Sequence, residues 1–273
     1  ALRSAPLRCA VEMACWDLVG QIAGQPLCHL FGGGYRRRIP LAVRLQGTSP
    51  KEIATLAREL AEQGFHALAI ASLGHLDDDL EMVAAVRELV QDRADLEFDG
   101  TAGYDMDSAR DLCGGLENAG LRSVIDPLKT RDLEQVASLR RQTSVPLAVW
   151  RSVRSPADVL AVVRCGAAPA VVVDLQRVGG LAAARKCAAI AQAAGLEACL
   201  AAGASVGVGM AAMLQIAAAT PAFSHCNQHI QQLGRDDLLA EPLELGDGML
   251  TVPPGPGLGV QLDRAKLERF QVA

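Results

Sequence analysis

Charged and aromatic side chains stand at the ends of several apolar runs that are predicted to be strands. Asp99, Asp126 and Asp174 each end such a run, and Trp150 and Arg151 follow another. In a parallel sheet the carboxyl ends of the strands share one edge, so these side chains are expected to lie close together. Carboxylates can transfer protons or hold a cation, and a guanidinium group can bind a carboxylate. The sequence therefore predicts a charged site at one edge of the sheet.

Two kinds of chemistry fit these residue types. In the first, Asp174 and Asp126 act as acid and base while Arg151 binds a substrate carboxylate. In the second, Asp99, Arg151 and Asp174 form an internal ion-pair network, with the guanidinium group in the role of a cation. Trp150 then fills volume, and Asp126 is a turn acid before a proline. The residue types alone leave both interpretations open.

The elements that must position these side chains are short strands that alternate with helical segments. Helix starts are marked by Ser49 and Ser155, each before a proline, by Asp107 or Ser108, and by the acidic run 77–79. Seven or eight strand–helix units with short connections form a parallel sheet that closes into a barrel, so the predicted fold class is α/β, a TIM-like barrel. The predicted strands cover residues 40–45, 67–71, 96–99, 123–126, 146–149, 170–174 and 198–201, with a weaker eighth near Phe223.

Length and charge agree with one barrel and exclude some partners. The 273 residues suffice for a single barrel, which needs about 250 residues. The formal net charge of −5 leaves no basic surface for nucleic acid, so no nucleic-acid partner is expected. No apolar stretch is long enough for a membrane span, so no membrane partner is expected either.

The eight cysteines carry no CxxC pair, which argues against a zinc site and against a disulfide framework. Reduced, buried cysteines are typical of a cytoplasmic protein, and no signal peptide opens the sequence. The spacing of His225 and His229 is not tied to any further ligand, so no metal role is assigned to them.

Several separated motifs resemble one known family. Residues 10–20, 24–27 and 30–33 resemble the linker helix and turn of the muconate-lactonizing and mandelate-racemase branch of the enolase superfamily. Residues 177–181 resemble the motif after that family's sixth strand, and residues 247–260 resemble its C-terminal segment. The motifs occur in the family's order and span essentially the whole chain.

The resemblance implies a domain organisation and an assembly. Residues 1–39 are expected to form a linker helix and turn, residues 40–240 the barrel, and residues 241–273 the C-terminal segment of a capping domain. The N-terminal half of that cap is absent from this sequence. Because the family's barrels commonly assemble, a homo-oligomer is expected.

The resemblance also implies a reaction, and here the sequence departs from the family. Family members remove a proton next to a carboxylate and stabilise the product with Mg2+ held by acidic side chains. The family's two lysines on the second strand match Ala69 and Ala71. The first metal ligand matches Asp99, but the other two match Ile125 and Trp150, so the magnesium site is incomplete and Asp99 is a vestigial ligand.

Later positions depart as well. The lysine that ends the family's sixth strand matches Asp174, and an acid after the seventh strand matches Ser205. Ser205 lies in the glycine-rich segment 202–209, beside Gly203, where barrels often bind phosphate on backbone N–H groups.

Three hypotheses about function follow. The first is a family member that has lost Mg2+-dependent proton abstraction and binds a small carboxylate ligand or a partner, with Trp150, Ser205 and Gly203 at the binding site. The second is an active isomerase, lyase or cycloisomerase that uses Asp174, Asp126 and Arg151. The third is an enzyme that binds a phosphorylated ligand on the glycine-rich segment.

Overall fold

The computed structural model describes residues 4–202, 205–223, 227–228 and 237–270. The strands in these ranges are β1 (Arg38–Leu45), β2 (Ala67–Ala71), β3 (Asp95–Asp99), β4 (Leu121–Ile125), β5 (Leu147–Val149), β6 (Ala170–Asp174), β7 (Glu197–Ala201), β8 (Asn227–Gln228), β9 (Leu245–Gly246) and β10 (Met249–Thr251). The α-helices are α1 (Ala5–Ala23), α2 (Leu27–Leu30), α3 (Pro50–Glu62), α4 (Leu76–Val90), α5 (Met106–Leu116), α6 (Leu133–Arg140), α7 (Pro156–Cys165), α8 (Leu175–Val178), α9 (Leu181–Ala193), α10 (Val208–Ala219) and α11 (Arg264–Phe270).

Strands β1 to β8 run parallel, each beside its neighbour in sequence, and β1 pairs with both β2 and β8. The sheet therefore closes on itself, which confirms the predicted TIM-like α/β barrel. The eighth strand lies later in the chain than the predicted position near Phe223. Phe223 is instead fully buried in the core.

The C-terminal region adds the predicted hairpin. Strands β9 and β10 pair antiparallel, and β10 also pairs antiparallel with the start of β1, where Ile39 lies opposite Leu250. Asp247 and Gly248 both have positive φ, as a tight two-residue hairpin turn requires. The hairpin thus extends β1 at the end of the barrel away from the strands' carboxyl ends. The predicted domain boundaries after residues 39 and 240 stay predictions.

Alternation along the strands divides the buried residues into two layers. Val124, Val149 and Val171 belong to the large core between the sheet and the helices. Their neighbours Ile125, Trp150 and Val172 form a separate small cluster inside the barrel. Because successive side chains of a strand point to opposite faces, Asp99 and Asp174, which follow Phe98 and Val173 of the large core, face the inside of the barrel.

Polar side chains start several of the helices. Ser49 accepts a hydrogen bond from the N–H of Glu52 at the start of α3, as predicted. At α5 the capping residue is Asp105, which accepts from the N–H of Ser108 at 2.9 Å, whereas the sequence favours position 107 or 108. Within the described ranges, every helix is too short or too polar to traverse a lipid bilayer.

Gly20 of α1 marks a close approach between this helix and the C-terminal segment. A Cβ atom at Gly20 would lie 2.4 Å from Cα of Gly257 and 2.9 Å from the carbonyl oxygen of Gln25. These neighbours are backbone atoms, which cannot rotate away as a side chain could. Helix α1 therefore packs against the C-terminal segment only because residue 20 has no side chain.

We expect Gly20→Ala to lower the free energy of unfolding by about 1–3 kcal/mol, because the new methyl group is forced into packed backbone. The matched control is Gly114→Ala in α5, where a Cβ would meet nothing within 4 Å. There the substitution should stabilise the protein by about 0.5–1 kcal/mol, the usual gain for alanine inside a helix. Urea unfolding of both variants measures the difference, and equal effects would contradict the packing described here.

Candidate functional site

Asp99, at the end of β3, is held by two guanidinium groups. Arg151 makes two parallel contacts with it, from Nη1 to Oδ1 at 2.9 Å and from Nη2 to Oδ2 at 3.1 Å. Nη1 of Arg44 donates to the same Oδ2, and the backbone N–H of Thr101 donates to Oδ1 at 2.9 Å. The Asp99 side chain is only 1% exposed, so its charge is neutralised inside the protein.

The protonation state of Asp99 follows from these contacts. Burial by itself raises the pKa of this carboxyl, but the hydrogen bond from Arg151 and the charges of Arg44 and Arg151 outweigh that effect. The pKa of Asp99 is therefore held below its ordinary value. At neutral pH Asp99 is a carboxylate with donors on both oxygens.

Arg44, on β1, is the residue of this site that the sequence interpretation missed. In the barrel register it lies beside Ala69 of β2, and Ala71 of β2 lies beside Asp99. These are the two positions that the family resemblance matches to lysines, and the small side chains leave room for the guanidinium group of Arg44. One signal was available in the sequence: Val43 and Leu45 face the outer core, so alternation turns Arg44 into the barrel.

Asp126 follows β4 and joins the end of that strand to the end of β5. Its Oδ1 accepts from the backbone N–H of Trp150 at 3.0 Å, and its Oδ2 accepts from the N–H of Arg151 at 2.7 Å and from Nη1 of Arg151 at 3.1 Å. Burial is the largest influence and raises the pKa of Asp126, although these donors oppose it. Its φ of 43° is a left-handed conformation that aspartate tolerates better than most residues. Asp126 therefore holds the β5 end in place, besides being a turn acid.

Trp150 lies close to two cations. The guanidinium carbon of Arg151 is 5.1 Å from the centre of the indole ring, and that of Arg177 is 5.9 Å from it. Both distances are in the range of cation–π interactions. The indole also belongs to the small cluster inside the barrel, as expected for a residue that fills volume there.

Asp174 lies outside the network around Asp99, which corrects the predicted membership. The Asp99–Arg151 pair is confirmed, but its second carboxylate is Asp126. Asp174 instead caps α8, accepting from the N–H groups of Gln176 and Arg177 at 2.9 and 3.2 Å. Nε of Arg177 also lies 3.6 Å from Oδ2 of Asp174. Burial raises the pKa of Asp174, while the two N–H donors, Arg177 and Trp150 act against it.

Ser205 is tied to its neighbours in the structure. Its Oγ accepts from Nε2 of Gln176 at 2.9 Å and donates to the carbonyl oxygen of Ala202. Gly203 lies outside the described residues, as do His225 and His229. The phosphate hypothesis for the glycine-rich segment therefore stays a prediction.

The positions that the resemblance matches to magnesium ligands do not fit that ion. Both oxygens of Asp99 already face guanidinium groups, and the other two positions carry the apolar Ile125 and the indole of Trp150. Mg2+ needs oxygen ligands in near-octahedral geometry. In the described parts of the chain, no three His, Cys, Asp or Glu side chains are grouped so that they could hold a metal.

The chain matches the family model described as "Enolase C-terminal domain-like" over residues 52–266. Muconate cycloisomerase 1 of Rhodococcus opacus is 32% identical over 260 residues, which are 94% of this chain and 69% of that protein. The chloromuconate cycloisomerase of Cupriavidus pinatubonensis is 30% identical over 267 residues, which are 96% of this chain and 72% of the relative.

Solved structures match the whole described barrel. A mandelate racemase/muconate lactonizing family protein from Azoarcus sp. EbN1 superposes with a TM-score of 0.94 at 27% identity, covering 100% of this chain and 76% of that one. An enolase from Streptomyces coelicolor, described as a putative sugar isomerase, gives a TM-score of 0.89 at 29% identity. The match covers 97% of this chain and 72% of the Streptomyces chain.

Proposed function

Because the chain belongs to the enolase C-terminal domain-like family of the enolase superfamily, we propose that it binds a small carboxylate-bearing compound at the barrel mouth without metal-dependent proton abstraction. The observation that carries this proposal is the pair of guanidinium groups, of Arg44 and Arg151, on the carboxylate of Asp99. Two fixed positive charges occupy the place where a family member would need a cation and a free acid. The two positions that the family resemblance matches to lysine bases carry Ala69 and Ala71 instead.

The exposure of the charged side chains supports an anionic ligand, because the guanidinium groups are more exposed than the carboxylate of Asp99. The carboxylates lie deepest, with Asp99 only 1% exposed, whereas the side chain of Arg151 is 19% exposed and that of Arg177 is 37% exposed. A compound that enters from solvent therefore meets guanidinium groups first. Guanidinium groups bind carboxylates through paired, charge-assisted hydrogen bonds.

Two further features describe where such a carboxylate would bind. Arg151 and Arg177 both lie within cation–π range of the indole of Trp150, so an aromatic ring stands beside both guanidinium groups. Nε of Arg44 is buried and has no hydrogen-bond partner among the described residues, so one donor remains for an acceptor atom. The relatives named muconate cycloisomerases act on a dicarboxylate, which makes muconate a reasonable first probe.

We expect muconate to change the fluorescence of Trp150 in a saturable way, and its neutral dimethyl ester not to do so. A Trp16→Phe background leaves Trp150 as the single tryptophan of the chain. Arg177→Met should weaken muconate binding about tenfold or more, because a charge-assisted hydrogen bond is lost. The matched control is Arg110→Met, which removes an exposed arginine that pairs with Asp107 within helix α5. This variant should bind muconate normally. Equal binding of ester and acid, or no binding at all, would contradict the proposal.

One observation favours a second function, acid–base catalysis by Asp126 and Asp174. Burial raises the pKa of both carboxyls above the ordinary value of an aspartate, which is the direction expected of a group that transfers protons. Asp174→Asn separates the two functions, since asparagine can still cap α8 but cannot transfer a proton. Turnover of a carboxylate compound that disappears in this variant would support catalysis, and binding that is unchanged would support the first proposal.

A further inference from the structure

A further buried carboxyl group, that of Asp79, lies in the first turn of α4. Its side chain is completely buried, and hydroxyl groups of Ser72 and Tyr104 donate to its Oδ2. The backbone N–H of Leu73 donates to its Oδ1 at 2.6 Å. A buried polar group is stable when donors of this kind replace the water that it has lost.

The donors to Asp79 belong to two different loops. Ser72 and Leu73 follow β2, whereas Tyr104 follows β3. Burial, together with the hydrogen bond to Asp79, raises the pKa of Tyr104, so its hydroxyl remains a donor over the whole physiological range. One side chain of α4 thereby fixes the two loops to each other.

From these loops, backbone hydrogen bonds lead directly to the charged residues of the mouth. The N–H of Ser72 donates to the carbonyl oxygen of Asp99 at 2.9 Å. On the other side, the N–H of Tyr104 donates to Pro127 at 3.0 Å, and the N–H of Ala102 donates to the carbonyl oxygen of Asp126 at 2.9 Å. Asp99 and Asp126, the two carboxylates that accept hydrogen bonds from Arg151, are therefore hydrogen-bonded through their backbone to the loops that contact Asp79.

Local backbone strain shows that these loops need an external constraint. Thr101, Ala102 and Asp126 have φ values of 54°, 58° and 43°, which non-glycine residues seldom adopt. Such conformations persist when surrounding contacts determine them. The contacts of Tyr104 and of Ala102 supply part of that constraint here.

We propose that Asp79 and Tyr104 are positioning residues for the mouth: through the loops after β2 and β3 they keep Asp99 and Asp126 aligned with Arg151. The ligand consequence rests on the function proposed above, but the alignment itself does not. Loss of the Tyr104 hydroxyl should loosen the two carboxylates and the N–H groups bonded to them, and it should leave the opposite side of the barrel unchanged.

The test is amide hydrogen exchange of the full chain carrying Tyr104→Phe, which removes only the hydroxyl. The amides of Thr101, Trp150 and Arg151 donate to Asp99 and Asp126, and we expect them to exchange about tenfold faster. Amides of β6 and β7 should exchange at the normal rate. Gly20→Ala, which destabilises a distant contact, is the control for a general loss of stability.

The outcomes separate the two proposals. Faster exchange confined to the mouth supports the positioning role even if muconate does not bind to the normal protein. If muconate does bind, Tyr104→Phe should weaken it about tenfold, in line with the exchange rates. Unchanged exchange at all three amides, or the uniform acceleration expected for Gly20→Ala, would overturn the positioning role. Asp79→Asn gives a second variant, and it should accelerate exchange at the same amides.

Discussion

Asp99→Asn is expected to be the most destabilising conservative substitution at the mouth, lowering the free energy of unfolding by about 3 kcal/mol. The substitution leaves Arg44 and Arg151 without the carboxylate that both of them contact. Removing one partner of a buried ion pair is costly because the remaining charge keeps its desolvation penalty. Here Arg44 would lose the one carboxylate that it contacts among the described residues, whereas Arg151 would keep its contact with Asp126 at 3.1 Å.

The matched control is Asp107→Asn, the same chemical change in an exposed pair. Asp107 is 89% exposed and contacts Arg110 at 2.8 Å. Exposed ion pairs contribute about 0–1 kcal/mol, so this variant should unfold almost normally. Urea unfolding of both variants gives the comparison, and a loss below about 1 kcal/mol for Asp99→Asn would mean that the network is not a structural element.

The pH dependence of this effect has a definite sign. The pKa of Asp99 in the folded protein lies below its value in the unfolded chain, about 3.9. Its contribution is therefore fully present above that unfolded value and is lost as the pH falls through the lower, folded value. The difference in stability between the normal protein and Asp99→Asn should be constant near neutrality and should shrink as the pH falls below about 4.

The barrel itself could be predicted from the sequence, for a physical reason. Apolar residues form a short continuous run in a strand such as β6 and recur every three or four residues in a helix such as α9. Each strand–helix unit repeats these two patterns, so the order of the elements can be read from local sequence alone. Strand β8, with two residues, is too short to produce such a pattern. The boundary of α5 was wrong because several residues near 105–108 are good capping residues, and the structure decides between them.

The site could be predicted only in part. Alternation and strand ends identify Asp99, Arg151 and Trp150, because their positions depend on local structure alone. Which carboxylate Arg151 reaches depends on the geometry across strands, so Asp126 and not Asp174 proved to be its second partner.

Two residues depend still more on tertiary structure. Alternation along β1 turns Arg44 into the barrel, but its contact with Asp99 depends on the register that places β1 beside β2 and β2 beside β3. Asp79 belongs to the acidic run 77–79, which indicates a favourable helix start. The run does not show that Asp79 is buried and accepts hydrogen bonds from two hydroxyl groups.

We propose that the guanidinium groups of Arg44 and Arg151 stand where a family member would carry out metal-assisted proton abstraction. Chemistry of that kind depends on a positioned base, which contributes about 10²–10⁴-fold in rate, and on stabilisation of the developing charge by the metal. The described mouth offers neither a lysine at positions 69 and 71 nor the ligand set for Mg2+. Loss of both should remove the activity almost completely.

The most direct test follows purified protein in D2O, with and without Mg2+, by the α-proton signal of mandelate and the ultraviolet absorbance of muconate. Muconate cycloisomerase 1 of Rhodococcus opacus, assayed with muconate, serves as the positive control. We expect neither exchange of the mandelate proton nor consumption of muconate above the protein-free rate, whether or not Mg2+ is added. Exchange or consumption that depends on Mg2+ would contradict the account.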